Sequence, residues 1–540
     1  MTMQLNARAE RGFSMFIVIM AMFMLSMFVA AAFATANGDL PVSGVAVQRK
    51  SSYAAAEAGL NFYLNRLEVD PDYWTKCASG PAPNGNEANP VNQLGANPLR
   101  WRTIPGATDQ YAIELIPAAG YTSCDTTKQQ SFVDLDTGTF KIKATGRTGP
   151  NATRTRSIIA TFRRDSFLNF VYFTNYENRD PAAESDSDAR ADQQRDCADK
   201  YRSARAGKGC PEIQFASGDS INGPLHTNDE NLYICGTPTF GRTKNQDGTA
   251  RATKTDTVEV SGSGTGHVAN PGNGSCVDSP TINTPTSAFK TKSQKLALPE
   301  SNTALESIAI NSSSRYAGLT KIRLRGNVMD ITTANGVTTT GVAWPTSGVV
   351  YVANNGSCEG EIPTAADYDE PSTCGNVYVS GTYSASLTIA AANDIIVAPT
   401  SSGSPTDANL TQSGSNDAML GLIANNFVRV MHKANRSDCS TAVAPVLQDV
   451  TIEAAILSLQ HSFIVDNYQC GKRGNLNVTG AIVQKYRGPV GTGTATSVSS
   501  GYLKNYWYDD RFRYRSPPYF LTPVDASWDI VRVHEYVKGN

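Results

Sequence analysis

Five histidines, His226, His267, His432, His461 and His534, are the only side chains in this chain that ordinarily titrate near neutrality. None stands in an HExxH or GxSxG setting. His226 has the richest surroundings: in GPLHTND, Asn228 and Asp229 follow it, a set suited to a small polar site or a cation. One imidazole with one carboxylate lacks a nucleophile or a second acid, so a corner turn with His226 bonded to a neighbouring strand is the plainer expectation. Cleavage of a glycan needs two or three carboxylates on one face. Asp394, Glu453 and Asp466 are the candidates in adjacent β-like segments, and single carboxylates of that kind are usually solvated. GSGTG at 262–266 lacks the lysine and the following helix of a phosphate loop. The expectation is no enzyme activity, no cofactor and no metal.

Two further sets of reactive or recognition-type side chains remain. Tyr502, Tyr506, Trp507, Tyr508, Tyr514 and Tyr519 crowd the C-terminus. Such rings stack on sugars in binding sites, or simply fill the core of a cap. Ten cysteines, Cys77, Cys124, Cys197, Cys210, Cys235, Cys276, Cys358, Cys374, Cys439 and Cys470, contain no CxxC and no zinc-type spacing with histidine. Disulfides in an oxidising compartment are expected, joining neighbours in sequence because local closure suits a stacked structure. The net charge of −2 gives no bulk reason to expect nucleic acid as a partner. Only 18% of residues are charged and 44 are glycine, a balance typical of secreted, turn-rich β proteins.

The elements that must carry these side chains change along the chain. After Leu67 the apolar period shortens to two, in YAIELIPA and in TFKIKATGR and TRSIIATFRR. Gly149-Pro150-Asn151 between the last two runs predicts a hairpin in a small antiparallel sheet. Residues 178–211 are charged and read as a solvated surface loop that Cys197 and Cys210 close. From about 213 onward, short apolar runs such as GVVYVANNG, LGLIANNFVRVM and VTIEAAILSLQHSFIV recur between Gly, Asn and Ser turns. Each is too short to bury a face alone, and stacked they make one core. A right-handed parallel β-helix is the expectation, with Asn393 and Asn425–Asn426 stacking in successive corners; an antiparallel β-sandwich is the alternative.

The N-terminus asks a separate question. Phe13 to Ala36 is 24 residues without a charge, about 36 Å as a helix and enough to cross a bilayer. Arg8 and Arg11 precede it, which places the N-terminus in the cytoplasm. A cleaved secretory signal, ending at Ala34 or Ala36, is one reading, and a plain membrane anchor a second. Tyr53, Ala56, Leu60, Leu64 and Leu67 then continue at helical spacing, which a signal peptide does not need. Pro41 and Gly44 predict a kink or break between the two parts.

Arg11-Gly12-Phe13-Ser14, the apolar run and Ala55-Ala56-Glu57-Ala58-Gly59-Leu60 together resemble the N-terminal region of PilX-type minor pilins of type IV pilus systems, over residues 8–67. FVYFTNYENRDP, INGPLHTND, LGLIANNFVRV, GAIVQKYRGPVGT and KNYWYDDRFRYRSPPYF resemble large PilX-like surface proteins. The resemblance implies prepilin peptidase cleavage between Gly12 and Phe13. It also implies an assembly helix that includes Phe13, Ile17, Glu57, Gly59 and Leu60, and other pilins or pseudopilins as partners. Major pilins carry Glu at the fifth position after cleavage, where this chain has Ile17.

The expected class is α+β, mainly β. The divisions are a leader (1–12), a pilin helix (13–69, with a transmembrane segment at 13–36), a head sheet (70–165), a charged insertion and connector (166–212), a β-helix-like domain (213–500) and an aromatic cap (501–540). The expected function is a minor pilin, or a pilus-tip assembly or adhesion protein. It would be held in the cell membrane by a single pass, with its bulk outside the cytoplasm and a surface polysaccharide as a further partner. A membrane-tethered polysaccharide-active enzyme is the alternative.

Overall fold

A computed structural model describes residues 13–69, 93–94, 99, 101–118, 139–150, 154–270, 276–400, 408–414, 417–434, 439, 446–494, 496–513, 515–524, 526 and 528–536. The chain divides into two compact units. One comprises Met1–Val133, Phe140–Phe162 and Ile530–Asn540, the other Asp134–Thr139 and Arg163–Asp529.

The first unit is built on helix α1, Phe13–Val69, 57 residues long. It runs unbroken through Pro41 and Gly44, so the expected break there is absent. Near its C-terminal end Ser52, Ala55, Ala56, Leu60, Tyr63 and Leu67 are buried, a stripe at spacings of three and four that faces one way. Tyr53 and Leu64, expected on that stripe, lie at its margins, half-buried. The stripe meets a sheet whose order is Gln93–Leu94, Gln110–Ile116, Thr139–Arg147, Thr155–Arg164 and Trp528–Tyr536. Tyr63 packs against Phe140 and Phe162, whose rings stack 4.9 Å apart. Two glycines let helix and sheet approach. A Cβ on Gly59 would stand 2.9 Å from the Tyr111 ring, and one on Gly146 would fall within the backbone of Ser52 and Ala56. Of the expected 149–151 turn, Gly149, with φ at 74°, and Pro150 follow the strand Thr139–Arg147, and Asn151 lies outside the described residues.

The second unit is a stack of parallel ladders. In one buried column Val350, Ile389, Leu422, Ile456, Ile482, Tyr172, Leu225 and Val258 each pair with the next. A second column runs Leu324, Gly381, Leu410, Ile452, Val478, Tyr506, Ile221, Phe240 and Ile282. A shorter third joins Val377, Ile395, Val428 and Phe463. These strands show buried residues on consecutive positions because the internal core covers one face and outer segments cover parts of the other: Ala304–Asn311 lies against Val349–Ala353, and Ala183 packs with Phe427 and Ile464. Stack order is not chain order. The late strand Lys472–Arg487 pairs with the early strand Tyr172–Arg179, so the end of the chain closes onto the beginning of the unit. Between the two runs the chain returns along the stack. Leu296 bonds Asn228, the Glu300 carbonyl accepts from Gln460, and Asn302 donates to the carbonyls of Ala391 and Ile423. A helix, Ala304–Asn311, follows, before Arg315–Ala317 pairs with Val349–Ala353.

Several expectations need correction. The class is mainly β rather than α+β with a membrane-crossing helix. No helix among the described residues is long and apolar enough to cross a membrane. Neither a transmembrane segment at 13–36 nor a single-pass location in the cell membrane is therefore supported. The charged segment 178–211 is not simply a solvated loop. It holds the helix Ser187–Asp196 and buries Arg205, because that guanidinium neutralises interior carboxylates. Segment 501–540 is not one cap: Val498–Tyr508 is a strand within the stack, and Trp528–Tyr536 belongs to the other sheet.

Gly146→Ala should destabilise the first unit by about 3 kcal/mol, since the clash is with helix backbone that has no rotamer to change. Thermal denaturation with a probe on the first unit checks it; an unchanged midpoint would contradict the packing.

Candidate functional site

The surface with the clearest unmet chemistry is the N-terminal part of α1. Met15, Ile17, Val18, Ile19, Met20, Met22, Phe23, Met24, Leu25, Met27, Phe28 and Val29 are all exposed, Phe28 at 74% and Ile17 at 57%. They point around the whole helix, and no described residue covers them. A helix apolar on every side ordinarily lies inside a larger assembly. Of the expected assembly residues, Gly12 lies outside the described residues and Phe13 begins the helix. Ile17 belongs to the exposed part, Glu57 is exposed, and Gly59 and Leu60 are buried against the sheet. Two surfaces of α1 thus have separate roles, one packed and one open.

The polar candidates are drawn into the stack. His226 is buried, with Nδ1 3.2 Å from Glu259 Oε2, Nε2 3.1 Å from Asn228 Oδ1, and its ring stacked on Phe173. Asn228 holds the returning segment: Oδ1 accepts from Leu296 N at 2.8 Å and Nδ2 donates to Leu296 O at 2.6 Å. Asp229 accepts from Arg205, at 2.6 Å, and from the backbone amides of Glu177 and Arg202. The three residues are brought together, but each is spent on structure. Among the described residues no cluster suits a metal ion.

The carboxylate candidates do not converge on a groove. Asp394 and Asp466 are buried and share one guanidinium, Arg429, at 3.1 and 2.8 Å; Glu370 reaches it at 2.5 Å. Tyr368 donates to Asp466. Burial pushes the Asp394 carboxyl up to about 6, with Arg429 acting against that rise and Glu370 adding to it. Burial raises Asp466 as well. Glu453 lies on a different ladder, where it accepts from the Gln412 amide. Arg429 escaped notice in the sequence, although an arginine inside the apolar run LGLIANNFVRVM was the signal.

The aromatic candidates divide similarly. Tyr502, Tyr506 and Tyr508 are core residues, Trp507 is half-buried and bonded to Asn505, and Tyr519 is exposed. Tyr514 lies outside the described residues. The core pairs take the first three rings because their strand enters the stack. Disulfides join Cys197–Cys210, Cys235–Cys276, Cys358–Cys374 and Cys439–Cys470, each a pair of neighbours in sequence order. Cys77 and Cys124 lie outside the described residues.

No family model matches the chain and no curated protein matches it. Among solved structures, the chain is similar to the competence-associated pilin ComZ from Thermus thermophilus, at 11% identity and a TM-score of 0.28. The match covers 91% of this chain and 98% of that one. At that score the likeness assigns neither fold nor function.

Two outcomes follow from the polar clusters. Asn228→Ala should cost about 1–3 kcal/mol, because it removes the side-chain partner of two backbone groups of Leu296; an unchanged urea midpoint would contradict that role. Asp394 is neutral more readily when folded than when unfolded. Its contribution is full below about pH 4 and is lost as pH rises through about 6. Asp394→Asn should therefore gain on the parent as pH rises from acid to neutral, and a difference flat with pH would exclude the assignment.

Proposed function

We propose that this chain is a minor pilin-type subunit. It enters a type IV pilus, or a related secretion fibre, through α1 and presents the coil stack as its outward-facing, adhesive part. The observation that carries this reading is the bare apolar half of a helix whose other half is packed on its own sheet. Burying a Met, Leu or Phe side chain gains about 1.5–3 kcal/mol. A dozen exposed ones therefore demand a covering, and helices of the same kind supply one of matching length and chemistry. The resemblance of residues 8–67 to PilX-type minor pilins supports the same reading, as does a Gly12–Phe13 junction suited to prepilin peptidase.

Ile17 narrows the proposal to the fibre tip. In such bundles a glutamate at this place answers the terminal ammonium of a neighbouring subunit, and an unpaired charge inside an apolar bundle costs several kcal/mol. Ile17 offers an exposed aliphatic side chain instead. A subunit that cannot answer a neighbour's charge fits where one side of the lattice is left open.

The test replaces Met22, Leu25 and Phe28 with serine. All three are exposed, so folding should be unchanged by circular dichroism and melting. Recovery of the protein in sheared surface fibres should fall at least tenfold, and N-terminal sequencing of the fibre-bound parent should begin at Phe13. Undiminished recovery of the triple variant would defeat the proposal.

A further inference from the structure

A groove of about 780 Å³ opens on the first unit between α1 and the strands Thr139–Arg147 and Thr155–Arg164. Four cations line it: Arg49, Lys143, Arg154 and Arg156. Two have carboxylate partners, Lys143 with Glu114 at 2.7 Å and Arg156 with Glu535 at 2.5 Å. Arg49 and Arg154 are exposed and make no ion pair among the described residues. The groove therefore carries an unanswered positive charge, although the chain as a whole is slightly acidic. Between the cations stand hydroxyl groups. Thr155 is exposed; half-buried Ser157 bonds the buried Thr145 at 2.8 Å, and buried Ser52 at the helix side bonds Thr148.

The geometry points to a binding site for an acidic polysaccharide, a chain of uronate sugars whose carboxylates meet Arg49 and Arg154 while its hydroxyls meet Thr155 and Ser157. Guanidinium groups bind planar carboxylates through paired donors. Arg154 stands beside exposed Thr155 and half-buried Ser157, so charge and hydroxyl occur together at the groove, as they do on each uronate ring. A single-stranded nucleic acid would want ring platforms for its bases. Among the described residues the one ring lining the groove is Tyr536, and Lys143 Nζ already lies 5.6 Å from its centre. An acidic peptide is also met by arginine clusters, but its carboxylates come without hydroxyls for Thr155 and Ser157, both among the lining residues. The site does not depend on how the exposed half of α1 is used.

The experiment uses the full chain, titrated with a galacturonate octamer, a neutral dextran oligomer, polyglutamate and a single-stranded oligonucleotide of matched length. The galacturonate octamer should bind at low salt, and its affinity should fall at least tenfold as ionic strength rises from about 0.05 to 0.3 M. Dextran should not bind. Arg49→Ala with Arg154→Ala should weaken galacturonate at least tenfold while melting is unchanged. Arg49→Lys with Arg154→Lys should restore part of that loss, since charge returns without the paired donors. No galacturonate binding at low salt would overturn the proposal. So would polyglutamate or the oligonucleotide binding equally well, or galacturonate affinity indifferent to the double alanine variant.

Discussion

The second unit depends on strand Tyr172–Arg179 finding strand Lys472–Arg487. Without that pairing the first column breaks in two, and only the Tyr506–Ile221 link of the second column joins the halves. With it, the column of buried side chains is continuous from Val350 through Ile482 and Tyr172 to Val258. A parallel strand has little to offer alone, because both of its edges and its inward side must be covered. The seam also binds charge: Arg487 pairs with Glu177 at 3.0 Å, both buried. Removing one member of such a pair would strand the other in a dry interior, a loss of about 3–5 kcal/mol. The seam therefore fixes register as well as contact.

Charge inside the stack follows one pattern. Arg205 meets Glu212 and Asp229, Arg429 meets three carboxylates, and Arg242 meets Asp256. Each guanidinium spans more than one coil or ties a loop to one, using donors fixed in a plane. Asparagines do the same work at corners: Asn426 donates to Asn393, and Asn393 to Asn376. Short coils with few apolar residues each are thus tied laterally by polar groups, most of them buried.

Much of this was readable in the chain, and the unread part has physical causes. Ala56, Leu60 and Leu67 were on the predicted stripe; Ser52 and Tyr63 were missed, because spacing gives the period of a helix but not the azimuth of its packed face. The corner asparagines showed as repeated turn residues. His226, Asn228 and Asp229 stood out as a polar cluster, yet their partners Glu259, Leu296 and Arg205 lie far off in sequence and no local pattern names them. The N-terminal apolar run was legible as a helix. Its surroundings were not, since an apolar surface says that water is unwelcome without saying what replaces it. Stack order was hidden for the same reason: every inward-facing column holds the same kinds of residue, so composition cannot tell which coil is next to which. The cations of the groove were present in KIKATGR and TRTRS, but an alternating strand places such residues outward whether or not anything binds them.

The seam sets a timetable for biosynthesis. Glu177 and Arg487 are 310 positions apart, and ribosomes add about 5–20 residues each second. The edge of Tyr172–Arg179 therefore leaves the ribosome on the order of 15–60 s before its partner exists. During that time a row of unpaired amides and carbonyls is available to any strand of another nascent chain. The cysteine pairs Cys197–Cys210 and Cys235–Cys276 lie on the half of the stack made first, where cross-links, once formed in an oxidising compartment, can hold a partial structure. A cell making this protein quickly would need either a holding factor for that edge or slow translation between its two halves.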